Sequence, residues 1–204
     1  LVLNAGAAVT LSQSLSAGTP PSPAGPGIIT LNATAGGFNQ TGGTITASEL
    51  RLLGVGAFTL NQAGNDVDTI AGNVVGAVGF TDADGLDVGT VTTVGLTTGG
   101  NDVTLATGAQ LTLSQSLNAG AGNVTFNPTT GGVNQIGGTL TAAGLRLLGV
   151  GNVTLNQATN DIDTLAGNLT GSVSLTDADG LDVGTVTTVG LTTGGNDVTL
   201  ATGA

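Results

Sequence analysis

The stretch TDADGLDVGTVTTVGLTTGGNDVTLATGA occurs twice in this chain, at residues 81–109 and again, without a single change, at residues 176–204. The duplication extends upstream of this block, because residues 37–72 align with residues 132–167 at an offset of 95. A chain that carries the same long stretch twice has two interchangeable parts. Repeats of this kind are typical of solenoids, in which each turn contacts only its neighbours.

The two copies divide the chain into residues 1–102, here called repeat 1, and residues 103–204, here called repeat 2. Near their starts, residues 9–18 align with residues 111–120 at an offset of 102. Repeat 1 is therefore seven residues longer, and the extra segment is the proline-rich TPPSPAG at residues 19–25. Clustered Pro and Gly predict an exposed loop there. We expect the two repeats to form one continuous solenoid rather than two separate domains.

The composition favours strands and argues against several classes of function. Of 204 residues, 37 are Gly and none is Cys, Met, Trp, Tyr or His, while 39% are hydrophobic. The many Thr, Val and Gly residues suit strands and tight turns better than helices. The net charge of −11, with only two basic residues, argues against binding to nucleic acid or to anionic lipid. No apolar run is long enough to predict insertion into a membrane.

A short strand signature recurs along both repeats, as an apolar residue, a small or polar residue, and a second apolar residue. Examples are VTL at 9–11, FTL at 58–60 and VTL at 153–155. Because side chains alternate along a strand, the outer two residues of each triplet should face one side and the middle residue the other. This register predicts that Leu155 and Leu200 are buried, with Thr154 and Thr199 turned outward.

Successive triplets lie about 20 to 29 residues apart, which is typical of a parallel β-helix whose turns carry Gly and Asn at the corners. The sequence thus predicts an all-β fold, a parallel β-helix or β-solenoid, with about four turns per repeat of 95–102 residues. Five turns per repeat is the alternative count. A pair of small β-sandwiches is the rival architecture, but the repeats have no linker and almost no aromatic residue to fill a sandwich core.

The segment GNVTLNQATNDIDTLAGNLTGSVSLTDADGLDVGTVTTVG, residues 151–190, resembles the repeat region of filamentous haemagglutinin-like exoproteins. Its markers are the strand triplet, N-D-[VI]-D-T-[LI]-A-G and D-A-D-G-L-D-V-G-T-V. The resemblance covers the whole chain as a style of repeat. It implies right-handed coiling and a large secreted bacterial adhesin on the extracellular surface. The partners that it implies are neighbouring repeats or fibre subunits, and host or cell-surface glycans.

The DADGLD turns place three carboxylates within six residues, and this arrangement makes them candidates for a Ca²⁺ site. The pattern is incomplete, because it lacks the spacing of an EF-hand loop and the tandem motifs of a calcium-binding β-roll. The alternative is that these side chains shape the turns by bonding to the backbone. We therefore expect no required cofactor. The candidate metal ligands are Asp82, Asp84, Asp87, Asp177, Asp179 and Asp182.

The function that we expect is a structural stalk or fibre segment of a secreted surface adhesin. A carbohydrate-binding solenoid is one alternative. A polysaccharide-active enzyme is another, since Asp66 with Asp68, and Asp161 with Asp163, form pairs of carboxylates on one face of a strand. The chain lacks His, Lys, Cys and Tyr as catalytic partners. The same D-x-D pair also occurs once in each repeat, whereas an active site usually breaks a repeat pattern, so we expect no enzyme activity and no catalytic residues.

Overall fold

The computed structural model describes residues 1–18 and 27–203. Every regular element in these two ranges is a β-strand. The same residues contain no helix with the length and apolarity that a membrane crossing needs. The loop predicted at residues 19–25 lies outside the described residues and stays a prediction.

The strands are short, and most are separated by turns of a few residues. In chain order they are β1 (Val2–Ala5), β2 (Val9–Leu11), β3 (Leu15–Ser16), β4 (Ile28–Ala33), β5 (Phe38–Gln40), β6 (Ile45–Val55), β7 (Phe58–Leu60), β8 (Asp66–Val75), β9 (Val78–Asp82), β10 (Leu86–Val88), β11 (Thr90–Val91), β12 (Thr93–Val94), β13 (Leu96–Thr97), β14 (Val103–Thr107), β15 (Leu111–Leu113), β16 (Leu117–Pro128), β17 (Val133–Gln135), β18 (Leu140–Val150), β19 (Val153–Leu155), β20 (Asp161–Thr170), β21 (Val173–Asp177), β22 (Asp182–Val183), β23 (Thr185–Val186), β24 (Thr188–Val189), β25 (Leu191–Thr192) and β26 (Val198–Thr202).

The strands stack in parallel ladders around a single axis, and this arrangement confirms the predicted all-β parallel β-solenoid. One ladder runs from β2 to β22 through eight successive pairings, so the described chain makes about eight turns, or about four per repeat. Its rungs are Val9, Phe38, Phe58, Val78, Val103, Val124, Leu145, Leu165 and Val183. At the spacing of neighbouring strands, eight turns give a rod about 40 Å long.

Strand pairing continues through the junction of the two repeats. The first strand of repeat 2, β14, pairs with β9 below it and with β16 above it. Val103 lies four turns above Val9 in one ladder, whereas the sequence equivalent of Val9 is Leu111 in the next strand along the chain. One repeat therefore spans four full turns of the solenoid and continues to the next strand of the following turn. Equivalent residues of the two repeats consequently face different sides of the rod.

The core is a column of inward apolar side chains, as the triplet pattern predicts. Phe58 and Leu60 are fully buried while Thr59 between them is exposed, and Phe58 stacks on Phe38 of the turn below with ring centroids 5.5 Å apart. Leu155 is buried as predicted. The prediction for Leu200 is wrong, since this side chain is 36% exposed.

The exposure of Leu200 has a positional cause. Its strand, β26, has the same sequence as β14, but in the described chain it pairs only with β21 below it. The equivalent residue in the first copy of the duplicated stretch, Leu105, is fully buried because β16 covers it. Sequence alternation therefore sets the side to which Leu200 points, whereas burial also requires a further turn on top.

Two small hairpins interrupt the parallel stack. They are β11 with β12 and β23 with β24, and they are the antiparallel pairs of the described chain. Each turns through a Thr with positive φ, at Thr92 and Thr187, a conformation that a β-branched residue rarely adopts. Val91 is fully buried in the first hairpin, which folds back against β8.

Candidate functional site: the acidic turns

The first carboxylate of each DADGLD turn points into the protein. Asp82 is 2% exposed, and its carboxylate accepts hydrogen bonds from the backbone N–H of Val67 at 2.9 Å and of Asp84 at 3.1 Å. In repeat 2, Asp177 accepts from the backbone N–H of Ile162 at 2.9 Å and of Asp179 at 3.3 Å. These two carboxylates tie a corner of one turn to the strand of the turn below.

Burial changes the proton affinity of both carboxylates. Desolvation raises the pKa of Asp82 from 3.8 to about 7, although the two backbone N–H donors act in the opposite direction. Desolvation also raises the pKa of Asp177 above its ordinary value. Asp177 has fewer turns stacked above it than Asp82. Burial therefore favours the neutral form of the Asp82 carboxyl more than solvent does.

The third carboxylate of the turn joins one repeat to the next. Asp87 accepts a hydrogen bond from the Ser114 hydroxyl at 2.6 Å and from the Ser114 backbone N–H at 3.1 Å. Its counterpart in repeat 2, Asp182, is exposed. The two residues have identical local sequence, so the difference arises because a turn covers Asp87 and none of the described residues covers Asp182.

The six candidate metal ligands are not brought together as one set. The middle residues of the turns, Asp84 and Asp179, are exposed and use their backbone N–H groups to bind the buried neighbour. Within residues 1–18 and 27–203, no three acidic, His or Cys side chains are grouped closely enough to hold a metal ion. The geometry agrees with the alternative in which these carboxylates shape the turns.

An open groove lies beside the first acidic turn. It has a volume of about 370 Å³ and is lined by Asp68 and Asp87, by Gln110 and Thr112, and by the backbone of Gly85. Burial raises the pKa of Asp68, and the nearby carboxylates of Asp66 and Asp84 raise it further. The groove combines two carboxylates with an apolar lining to which Leu86 and Ala109 contribute, and the turn that completes it comes from repeat 2.

The D-x-D pairs lie on the outer face of their strands. Val67 is buried between half-buried Asp66 and exposed Asp68, and Ile162 is buried between exposed Asp161 and Asp163. Both members of each pair therefore face the same side, as the strand pattern predicts. The structure places no His, Cys, Lys or Tyr beside them, because the chain contains none.

A buried asparagine with five side-chain hydrogen bonds is one residue that sequence reasoning missed. Asn65 is fully buried, and its side-chain amide exchanges two hydrogen bonds with Gln40, at 2.8 and 3.1 Å. The same amide accepts from the Ile45 backbone N–H and donates to the carbonyls of Leu60 and Thr81. It thus binds three successive turns together.

Repeat 2 contains the same arrangement. Asn160 pairs with Gln135 at 2.8 and 2.9 Å, accepts from Leu140 N–H, and donates to the carbonyls of Leu155 and Thr176. The available signal was the recurrence of Asn directly before each D-x-D pair, together with Gln 25 residues upstream. Burying an Asn side chain costs free energy unless its amide is fully hydrogen-bonded. Asn65 and Asn160 meet this condition, and their role is to hold neighbouring turns together.

The two arginines have neighbours other than carboxylates. In the ladders Arg51 lies between Thr30 and Ala71, and Arg146 donates to the Thr125 hydroxyl at 3.3 Å. The Nε atom of Arg51 is buried without a hydrogen-bond partner in the described part of the chain. The ladder positions next to the two arginines therefore hold no Asp that could form an ion pair.

Comparison of the chain with protein-family models, with curated proteins and with solved structures gives no match.

Proposed function

We propose that this chain is a structural stalk or fibre segment of a secreted bacterial surface adhesin, which holds a binding module at a distance from the cell. The observation that carries the proposal is the structural use of the buried acidic and amide side chains. Five of these side chains form hydrogen bonds with backbone or side-chain groups of neighbouring turns. They are Asp82, Asp87 and Asn65 and the counterparts Asp177 and Asn160.

The arrangement of the turns supports a load-bearing role. Each turn is tied to the next by parallel backbone pairing and by a continuous apolar column, and the buried amides of Asn65 and Asn160 each bind three successive turns together. Because a repeat is four turns plus about one side, identical surface residues wind around the rod rather than forming one flat face. A stalk with this symmetry presents similar chemistry in several directions and grows in length with each added repeat.

The test of the proposal is the dependence of length and strength on repeat number. Chains with two, four and six repeats joined in phase should lengthen by about 20 Å per repeat in electron micrographs, since about four turns rise by about 4.8 Å each. Axial pulling should show unfolding in steps of one or a few turns. A compact particle that does not lengthen in this way would rule the stalk out.

Carbohydrate binding is the second candidate, and the acidic groove beside Asp68 favours it. Carboxylate, amide and hydroxyl groups line the groove and could bond to sugar hydroxyls. The four Phe side chains are buried and so provide no stacking platform. The test is titration with a panel of neutral and amino sugars. Binding that is lost in Asp68→Asn and kept in Asp163→Asn would make this the better description.

A further inference from the structure

A hairpin outside the coil of repeat 1 covers a small apolar cluster that is separate from the core column. The hairpin segment, residues 89–95, is here called the strap. Both of its ends form backbone hydrogen bonds with β8, at 3.1 and 2.8 Å, on either side of Ala71. Ala71 and Val91 of the strap are fully buried, although neither belongs to the apolar column. The strap therefore packs on the outer wall of the solenoid.

The strap extends beyond the turn next to its own. Its own turn contains β10 and β13, which pair with β8, and β8 pairs with β6 below it. The first strand of the strap, β11, contacts both β8 and β6. The equivalent strap of repeat 2, residues 184–190, contacts β20 and β18 in the same way. A methyl group added to Gly144 of β18 would lie 2.9 Å from both methyl carbons of Val186, so the strap packs closely on a strand two turns below.

Contact between turns that are not neighbours changes how a solenoid opens. The stability of a solenoid is approximately a sum over its units and over the interfaces between neighbours, so one turn can open without its second neighbour. A strap that packs on the second turn below adds a contribution that involves three turns at once. The turns that contain β6, β8 and β10 should therefore open together.

A buried amide joins the same three turns at another corner. Asn65, which precedes β8, pairs with Gln40 and accepts from the Ile45 N–H, both in the turn of β6. The same side chain donates to the carbonyl of Thr81, which precedes β10. This set of turns, residues 38–97, is here called the clamped block, and its counterpart in repeat 2 is residues 133–192. The strap holds the block from outside and the amide holds it from inside.

The segment between the two clamped blocks contains neither a strap nor such an amide among its described residues. Across residues 98–132 the side-chain hydrogen bonds join a turn only to an adjacent one, as between Asp102 and Asn123 and between Gln110 and Gly131. The extra TPPSPAG of repeat 1, at residues 19–25, also falls outside the clamped blocks. Each repeat thus combines a clamped block with a segment held by contacts between neighbours.

We propose that the strap makes the clamped block one cooperative unit, so that the stalk yields under axial load between the blocks and each block opens as a whole. The inference rests on the proposed role as a stalk and specifies the unit in which the stalk gives way. A force that separates β6 from β8 must also break the contact between β6 and the strap. The load is therefore shared among three turns.

Native-state hydrogen exchange in increasing urea measures the free energy at which each strand opens. The reporters are the amides of β6, β8 and β9, which are one strand from each turn of the clamped block. We expect one shared opening free energy for the three strands. Opening free energies that change turn by turn along the axis would show that contacts between neighbours are sufficient, and they would overturn the proposal.

Two substitutions in the strap form a matched pair. Val91 is fully buried, whereas Val94 on the same hairpin is 65% exposed. Val91→Ser should speed the exchange of β6, two turns below, by about tenfold or more, because the cluster loses a buried apolar side chain. Val94→Ser should change this exchange by about threefold or less. Equal effects of the two substitutions, or no effect of Val91→Ser on β6, would show that the strap holds only its own turn.

Circular dichroism establishes that both variants are folded. If Val91→Ser does not fold, Val91→Ala permits the same comparison with a smaller loss of apolar surface. The expected order of exchange rates in β6 is then Val91→Ala above Val94→Ser and Val94→Ser close to the parent. The absence of this order would count against the strap in the same way.

Axial pulling of the full chain tests the same unit under load. Opening of one clamped block releases about 60 residues, or about 200 Å of extended chain, whereas a single turn of about 20 residues releases about 70 Å. We expect the longer step in the parent and in Val94→Ser, and shorter steps in Val91→Ser. Single-turn steps in the parent would refute the strap, while a rod that lengthens with repeat number would still support the stalk.

Discussion

At the scale of single residues, the buried polar side chains that recur in both repeats bind neighbouring turns to one another. Asn65 lies within the N-D-V-D motif and Asp82 within the D-A-D-G-L-D motif, and both side chains point inward to backbone groups of other turns. A motif rich in Asp and Asn can therefore serve the fold alone. What distinguishes this role from metal binding is the direction of the side chain, which depends on the corner at which it lies.

Asp82 should make stability depend on pH in an unusual direction. Its folded pKa of about 7 lies above the unfolded value of 3.8, so the folded state retains the proton as the unfolded state loses it. The free energy of unfolding should therefore fall as pH rises from about 4 to about 7, by a few kcal/mol at most. Urea titrations at several pH values measure this slope.

Asp82→Asn tests the assignment of that slope. The amide keeps an acceptor for the Val67 N–H but cannot ionise, so stability should vary less with pH than in the parent. Asp161→Asn, at an exposed position, is the control for the loss of one negative charge. An unchanged slope in Asp82→Asn would show that another carboxylate is responsible.

Asn65→Ala should be among the most destabilising polar substitutions. It leaves the Gln40 amide, the Ile45 N–H and the carbonyls of Leu60 and Thr81 without their bonds inside the protein. We expect a loss of about 3 kcal/mol or more in urea-induced unfolding. Asn39→Ala, on the exposed face of β5, should change stability by about 0.5 kcal/mol or less.

Calcium should have little effect on this chain. The carboxylates of Asp82 and Asp177 are already bonded to backbone N–H groups, so few ligands are left in each turn. Melting curves in saturating Ca²⁺ and in EDTA should coincide, because only an ion that binds the folded state raises the melting temperature. A large shift that EDTA reverses would show that the turns rearrange to bind the ion.

At the scale of strands, the burial that an apolar side chain gains depends on whether another strand covers its own strand. β19 and β26 carry the same VTL triplet, but β19 has a parallel strand on both sides and β26 on one. A pattern of alternating residues predicts which side chains point inward. The number of stacked neighbours then decides how much burial they gain.

Leu155→Asp and Leu200→Asp form a matched pair for this effect. Leu155 is fully buried, so a carboxylate there should cost about 4 kcal/mol or more and lower the melting temperature markedly. At Leu200, which is 36% exposed, water can solvate the charge, and the cost should be about 1 kcal/mol or less. Equal effects at the two sites would contradict the observed end of the apolar column.

At the scale of the whole molecule, the repeats form one rod whose turns are coupled only to their neighbours. An insertion at a corner should therefore leave the stack intact. Deleting Thr19–Gly25, which repeat 2 lacks, should keep the β content and change stability by about 1 kcal/mol or less. Circular dichroism and urea titration measure both quantities. Loss of folding would mean that the segment belongs to the coil.

The sequence alone determined the fold class, the boundaries of the duplication and the inward register of the strands, because these depend on local alternation and on repetition. In the triplet Phe58–Leu60 the two outer residues are buried and the middle residue, Thr59, is exposed, as the alternating pattern predicts. The proposal of an extracellular stalk also came from the sequence, through resemblance and composition.

Only the tertiary structure decided which residues meet across turns. The pairing of Gln40 with Asn65, of Asp87 with Ser114 and of Val9 with Phe38 joins residues 20 to 30 positions apart. Their contact depends on the length of each turn, which varies with the hairpins and corners. The exposure of Leu200 has the same origin, since burial in a solenoid is a property of adjacent turns and is not encoded in one strand.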